Sequence, residues 1–327
     1  MTKMKLHPVL HLIIPVLTKR MTGVSEDTGP RRQAKPPETA FRRLVQRPPS
    51  DVTVTTEFVR RPDEDGSIEV RVYRPGTAPR SDGGRAALVY FHGGGWFQGS
   101  LETGHSHCAH LAKLADAVVV NVAYRLIPRH PYPANLRDCY TALTWVSEHA
   151  EQLGIDPSLV AVGGTSSGAN LAAAVALLAR AEGGPTIAHQ VLEIPVLDIA
   201  TRPHAPDDAP PWYPPMVRQA QQTFDRYIAA DANPHDPLVS PLMADDLTGL
   251  PPTTILANEL DVIVDHAVRY ADRLRDDSVP VSLHIYPGLV HGTQAFTGVI
   301  PLGRRFRAQA GHALASLYDT RQLRTDS

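Results

Sequence analysis

Apolar and polar positions along the chain fall into two regimes. In the first, the runs at 52–59 and 68–73 have strand-like patterning and are punctuated by Gly66 and Pro75, which predicts two strands opening a sheet in antiparallel fashion. In the second, apolar runs at 86–91, 117–122, 159–162, 190–194, 253–256 and 281–286 alternate with stretches of helical pattern at 107–115, 135–149, 170–181, 264–276 and 304–320. Such alternation predicts an α/β fold, a mostly parallel sheet with helices on both faces.

One segment breaks the rhythm. Residues 201–252 carry Pro203, Pro206, Pro210, Pro211, Pro214 and Pro215, then a helical piece around 217–229, then more prolines. A connection of this length inside a sheet is usually functional or disordered, and without low-complexity tracts it reads as a helical cap inserted into the α/β domain of 51–200 and 253–327. Residues 1–50, rich in Pro, Arg and Lys around two weakly amphipathic pieces at 10–17 and 40–45, read as the N-terminal part of that cap.

Composition narrows the function classes. Apolar residues make up 43% of the 327, enough for a sizeable core in one large domain. Lys+Arg 32 against Asp+Glu 34 leaves a formal net charge of -2, so no whole-chain field recruits nucleic acid or anionic lipid. Cys108 and Cys139 have no CxxC or Cys/His zinc spacing; they read as reduced, buried thiols in a reducing, cytoplasmic setting. Lys3 and Lys5 precede the apolar run at 10–17, but His11 and Pro15 interrupt it and no small-residue cleavage site follows. That run reads as mature protein, and it is well short of the ~20 apolar residues a bilayer span requires.

The candidate chemistry sits at strand ends. Gly164-Thr165-Ser166-Ser167-Gly168 follows one apolar run and opens a helical one, the strand–turn–helix setting in which a serine hydroxyl is thrust outward and flanking glycines avoid collisions. Taken alone, this pattern is equally compatible with an inert glycine-rich connection. Two other stretches decide between them, Phe91 to Trp96 upstream and Leu289 to Gly292 downstream. His291 follows the run at 281–286 by the short loop Pro287-Gly288-Leu289-Val290, and Asp261 follows the run at 253–256, so an imidazole and a carboxylate are expected at the edge that holds Ser166. Glu259 stands two residues before Asp261, and strand alternation does not choose between the two; the later residue reaches further over the edge. Gly93, Gly94 and Gly95 follow the run at 86–91, where a backbone without Cβ atoms can aim N–H groups at an oxyanion, with the Ser167 N–H as a further donor. His92, just before these glycines, is expected to brace their loop and not to act as a base.

Two other groups carry less. His105, His107, Cys108 and His110 lack HExxH spacing and read as solvated or packed side chains, so no metal is expected. Trp212, Tyr213, Met216 and Phe224 form an apolar group in the inserted segment, suited either to packing or to a pocket wall.

The stretches His92 to Trp96, Tyr124 to Pro133, Asp156-Pro157, Gly164 to Gly168, Asn258 to Asp261 and His291-Gly292 together resemble the hormone-sensitive-lipase family of α/β-hydrolase carboxylesterases. The resemblance implies an α/β-hydrolase fold with a mobile cap, with nucleophile, acid and base at Ser166, Asp261 and His291 and oxyanion glycines in the 93–95 loop. The chain departs from the family at Thr165 and Ser167, where Asp and Ala are usual, at Arg129, where an acidic residue is usual, and at Val262-Ile263, where Pro-Leu is usual. The expectation is therefore a serine carboxylesterase for short- to medium-chain esters that forms an acyl-enzyme on Ser166. No cofactor, nucleic-acid partner or stable membrane insertion is expected, and homo-oligomerisation is left open. An amidase, lactonase or acyltransferase with the same residues, or a non-catalytic small-molecule receptor, is the alternative.

Overall fold

Strand β3 (Arg85–Phe91) shows why the sheet needs cover on both sides. All seven of its residues are buried, with Ala87, Val89 and Phe91 in one core cluster and Ala86, Leu88 and Tyr90 in a second. Successive strand side chains point to opposite faces, so a strand apolar throughout has to sit between two layers of helices. The computed structural model, which describes residues 5–11, 46–62, 64–78 and 83–319, supplies those layers. Lys3, residues 12–17 of the expected apolar run, the whole piece at 40–45, and the terminal residue of the run at 304–320 lie outside the described residues.

The other strands are β1 (Val52–Arg60), β2 (Ser67–Pro75), β4 (Val118–Val122), β5 (Ile155–Thr165), β6 (His189–Glu193), β7 (Thr253–Asn258) and β8 (Val281–Tyr286). They form one eight-stranded sheet in the order β1-β2-β4-β3-β5-β6-β7-β8. β2 is antiparallel to both β1 and β4, and every other neighbouring pair is parallel. Helices α1 (Leu101–Ala115) and α7 (Pro301–Ala315) cover one face through Cys108, Leu111, Phe306 and Leu314. Helices α2 (Ala134–Glu148), α4 (Ser167–Glu182) and α6 (Val264–Asp276) cover the other through residues such as Leu143, Val175 and Leu274. A short helix α3 (Ala150–Leu153) leads into β5, and α5 (Tyr213–Ile228) lies in the proline-rich segment.

The apolar runs locate the strands well, and the helix starts differ more. α1 begins at Leu101, six residues before the periodic stretch at 107–115, because the polar and small residues at 102–106 that follow Leu101 hide the apolar period. The Ser100 N–H donates to Thr103 Oγ1 at 3.1 Å and so satisfies a donor at that start. α7 begins at Pro301, where a missing N–H costs nothing, and not at Arg304. β7 continues to Asn258, beyond the apolar run that ends at Leu256.

The strand order reverses between β3 and β5, which lie side by side with Phe91 opposite Gly164. In open α/β sheets a crevice forms at such a switch point, outside the carboxyl ends of the strands. The loops leaving β3 and β5 there are those of His92 and Ser166.

The stretch after β4 is fixed by a buried ion cluster. Asp138 on α2, 1% exposed, accepts from the Arg125 backbone N–H at 2.8 Å and pairs with the guanidinium groups of Arg125 at 2.8 Å and Arg61 at 3.1 Å. The half-exposed Glu64 also pairs with Arg125 at 2.8 Å, so removing Asp138 leaves two largely buried guanidinium groups with that one solvent-screened counter-charge. Asp138→Ala should therefore lower unfolding stability by about 3–5 kcal/mol, read from the denaturant midpoint; a change under ~1 kcal/mol would show that the cluster is dispensable.

Candidate active site

Ser166 sits between β5 and α4 with φ 57 and ψ -116, a left-handed backbone that side chains rarely adopt. Its N–H donates to the Glu193 carbonyl at 2.8 Å and its carbonyl accepts from the Asn170 N–H at 3.0 Å, which ties the turn to β6 and to α4. The flanking glycines are required by close approach. A Cβ on Gly168 would lie 2.0 Å from the Phe91 carbonyl oxygen, and one on Gly164 would lie 2.4 Å from the same atom.

Three residues that the sequence scatters over 125 positions meet here. Ser166 Oγ lies 2.8 Å from His291 Nε2, and His291 Nδ1 lies 2.6 Å from Asp261 Oδ2. A carboxylate only accepts, so Nδ1 carries the proton, and neutral His291 presents Nε2 as an acceptor for the Ser166 hydroxyl. Asp261 is 2% exposed and its Oδ1 accepts from the Ile263 N–H at 3.1 Å, which fixes the carboxylate. Burial disfavours the imidazolium of His291, but the charge and hydrogen bond of Asp261 outweigh it and hold the pKa above the ordinary 6.5. Glu259 has a different partner: its carboxylate accepts from the Gly288 N–H at 2.8 Å and so anchors the loop that carries His291.

Gly93, Gly94 and Gly95 line the same cavity as Ser166 and His291. Among the described residues, the backbone N–H groups of Gly94, Gly95 and Ser167 make no hydrogen bond to another protein group. His92 braces the loop as expected. Its Nδ1 donates to the Gly93 carbonyl at 2.9 Å, its own carbonyl accepts from the Tyr124 hydroxyl at 2.7 Å, and the two rings stack at 4.3 Å. Burial holds its pKa at about 4 against the smaller opposing effect of that backbone bond, so it is neutral at neutral pH. Gly99 belongs to this brace and was not singled out in the sequence. With φ +106, any Cβ there would lie 2.5 Å from His92 Nδ1.

A polar network supports the turn from below. Thr165 Oγ1 donates to Glu193 Oε2 at 3.0 Å and lies 2.7 Å from the Tyr90 hydroxyl, which therefore donates to it. His107 Nε2 donates to Glu193 Oε1 at 2.7 Å. The histidine group near the start of α1 is thus shared among separate partners: His105 Nδ1 meets the Tyr73 hydroxyl at 2.9 Å and His110 Nδ1 the Ser106 carbonyl at 2.7 Å. Among the described residues no cluster of metal-binding side chains is found. Cys108 and Cys139 are buried free thiols.

The cavity measures about 1490 Å³, above the ~300–1,000 Å³ of most small-ligand pockets. Of the apolar group in the inserted segment, Met216 and Phe224 line it; Trp212 and Tyr213 do not, and their rings make a T-shaped contact with each other.

A strained serine turn, a histidine and aspartate brought to it in the chain order Ser, Asp, His, and a glycine loop beside it define the constellation of an α/β-hydrolase. The model of a family described as having the alpha/beta hydrolase fold matches residues 88–295, and the chain belongs to that family, in keeping with its resemblance to carboxylesterases of the hormone-sensitive-lipase type. It is 40% identical to esterase LipI of Mycobacterium tuberculosis over 72% of this chain and 74% of that one. It is 37% identical to carboxylesterase NlhH of the same species over 76% of this chain and 77% of that one. A hyperthermophilic esterase from Pyrobaculum calidifontis superposes with a TM-score of 0.81 at 31% identity, covering 96% of this chain and 99% of that one. The protein is a carboxylic ester hydrolase, which sets aside the receptor reading. No described helix is long and apolar enough to cross a membrane.

The two carboxylates near His291 are separable by titration. Asp261→Asn removes the charge that holds the His291 pKa up and leaves burial alone, so the pKa should fall from above 6.5 to below it in an NMR titration. Glu259→Gln should leave it within about half a unit of wild type. The reverse pattern would assign the imidazole to Glu259.

Proposed function

We propose that the protein hydrolyses short- to medium-chain carboxylic esters through an acyl-enzyme on Ser166. What supports this reading above all is the pair of contacts at 2.8 and 2.6 Å that joins Ser166 Oγ, His291 and Asp261 in line. As Ser166 Oγ attacks the ester carbonyl carbon, its proton passes to His291 Nε2, and Asp261 stabilises the imidazolium that forms. The carbonyl oxygen becomes an oxyanion that accepts from the N–H groups of Gly94, Gly95 and Ser167, with Gly93 shaping the loop. Collapse breaks the bond to the alcohol oxygen, which leaves with the proton from His291. Water then enters, His291 takes its proton, and the acyl–serine bond breaks to release the acid and restore the hydroxyl.

Residues 201–252, together with 1–50, act in this reading as the cap over the 51–200 and 253–327 catalytic domain. Met216 and Phe224 lie against the cavity, which supports a role for the insertion as a wall for the acyl group. The large exposed hydrophobic side chains among the described residues are Val54, Phe58, Leu114, Ile285 and Val299, which belong to several separate elements. Singly exposed apolar residues of this kind do not make the broad patch that binding to a lipid surface uses, and they favour dispersed short substrates.

Ser166→Ala should lower kcat for a soluble ester by at least ~10⁴-fold with circular dichroism unchanged, and a phosphonate ester should label wild type once, at Ser166. Labelling elsewhere, or wild-type turnover by the variant, would remove the serine from its role. In a series of p-nitrophenyl esters, kcat/KM should peak at acyl chains of eight carbons or fewer; a steady rise to emulsified long-chain esters would contradict the chain-length preference.

A further inference from the structure

The cavity beside Ser166 has chemically unlike walls. Under α5 it is apolar, with Met216, Ala220 and Phe224 facing Val262 and Ile263 across it. Toward α1 and α7 it is polar, and Arg307 of α7 is among the residues that line it. Three arginines are buried among the described residues, and two of them meet carboxylates: Arg125 pairs with Asp138 at 2.8 Å and Arg85 with Asp116 at 3.3 Å. Arg307, 5% exposed, has no carboxylate within 4.0 Å among the described residues. Its Nη2 donates to Gln46 Oε1 at 2.5 Å and its Nη1 to Thr297 Oγ1 at 3.4 Å, both neutral acceptors, and its Nε–H is buried with no partner.

A buried cation normally brings its counter-ion with it, because desolvation is repaid only by a close opposite charge. The nearest influences on Arg307 do not supply one. Burial lowers its pKa to about 10, the charge of Glu193 opposes that and Arg304 adds to it, so the group is fully protonated at neutral pH. Glu193 is already committed to His107 at 2.7 Å and to Thr165 at 3.0 Å. Arg47, an exposed second cation, lines the same cavity. What is missing is a planar anion able to take the free Nε–H and a remaining Nη proton side by side, and a carboxylate has that shape.

We infer that Arg307 receives a carboxylate of the substrate, so that the preferred esters carry a second, ionised carboxyl group, such as monoesters of dicarboxylic acids; this rests on the ester-hydrolysis reading at Ser166. The apolar wall takes the hydrocarbon part and the polar wall the charge. Arg307 selects among esters and takes no part in bond breaking.

The test uses isosteric pairs in which a terminal methyl replaces the carboxylate: monomethyl glutarate against methyl pentanoate for charge on the acyl side, and 4-acetoxybutyrate against butyl acetate for charge on the alcohol side. In wild type, kcat/KM for the charged member of at least one pair should exceed that of its neutral partner by roughly tenfold or more, expressed mainly in KM. Arg307→Met should reduce that ratio at least tenfold, and Arg307→Lys, which keeps the charge without the fork, should fall between; it also serves if the Met variant does not fold. By calorimetry on Ser166→Ala, the favoured anion should bind at least tenfold more weakly once Arg307→Met is added. Charged-to-neutral ratios below two in wild type for both pairs, or ratios that Arg307→Met leaves unchanged, overturn the assignment and reduce Arg307 to a tether for Gln46 and Thr297. If the anion binds in an Arg307-dependent way while neither member of either pair is hydrolysed, the subsite stands and the Ser166 reading falls.

Discussion

The site depends first on a backbone hydrogen bond, from the Ser166 N–H to the Glu193 carbonyl at 2.8 Å. A serine at φ 57 is strained, at a cost on the order of 1–3 kcal/mol, and persists only where its surroundings over-determine it. β5 makes that feasible: it is paired on both sides, by β3 and β6, and ends in the wholly buried stretch 159–164. The bond to Glu193 extends the β5–β6 ladder one residue past the strand, so the turn inherits the rigidity of the sheet. His291 and Asp261 arrive by the same logic, from loops at the ends of β8 and β7, whose register aligns Asn258 with Tyr286. Parallel strands deliver all three side chains to one edge, and no loop has to travel far.

The departure at Thr165 places a second hydroxyl beside that of Ser166. It does not compete for His291, because Thr165 Oγ1 is held between Tyr90 and Glu193. Where the resembling family places a carboxylate within the turn itself, this chain has the buried carboxylate of Glu193 one strand away, sharing its oxygens between Thr165 and His107. The negative charge under the turn is kept while its covalent position changes. The Ser167 hydroxyl is also out of the way, fully buried near Tyr124. These substitutions alter how the turn is supported and leave the Ser166–His291–Asp261 geometry intact.

The central strands were legible in the sequence because a strand buried on both faces must be apolar at nearly every position, as in β3 and β4, whereas the edge strands β1 and β8, largely exposed or half-buried, were legible from strand-like patterning and turn residues. The serine, histidine and aspartate were legible because glycine spacing and strand ends constrain where such residues can act. Less visible were features created only by folding. The first turn of α1 is polar on its exposed side and hid the helix start. Gly99 looks like any loop glycine until His92 is packed against it. Glu193, within the run at 190–194, and Arg307, within the helical stretch at 304–320, belong to no motif, and only burial at the cavity gives them meaning. Between Glu259 and Asp261 alternation along the strand carried no information, and reach beyond the strand end pointed to Asp261, which lies 2.6 Å from His291; the bond of Glu259 to the Gly288 N–H was visible only in the fold.

Helix α5 is joined to the site by more than Met216 and Phe224 at the cavity. Trp96, directly after Gly93, Gly94 and Gly95, is fully buried and stacks on Tyr227 of α5 with ring centroids 4.0 Å apart and planes 7° from parallel. Arg226 covers the Phe97 ring at 4.5 Å, and the Tyr132 N–H donates to the Ala230 carbonyl at 2.9 Å. Each buried aromatic of this size removes ~150–250 Å² from water, worth about 4–6 kcal/mol at 25 cal/mol per Å², so lifting the C-terminal half of α5 would cost much of a domain's net stability. That half is therefore part of the floor of the glycine loop. The N-terminal half carries Met216 and Ala220 against the cavity and begins beside the partly exposed Trp212, with no comparable anchor in the glycine loop. The firm link between α5 and the glycine loop thus runs through its C-terminal half, and the loop shares the rigidity of that packing.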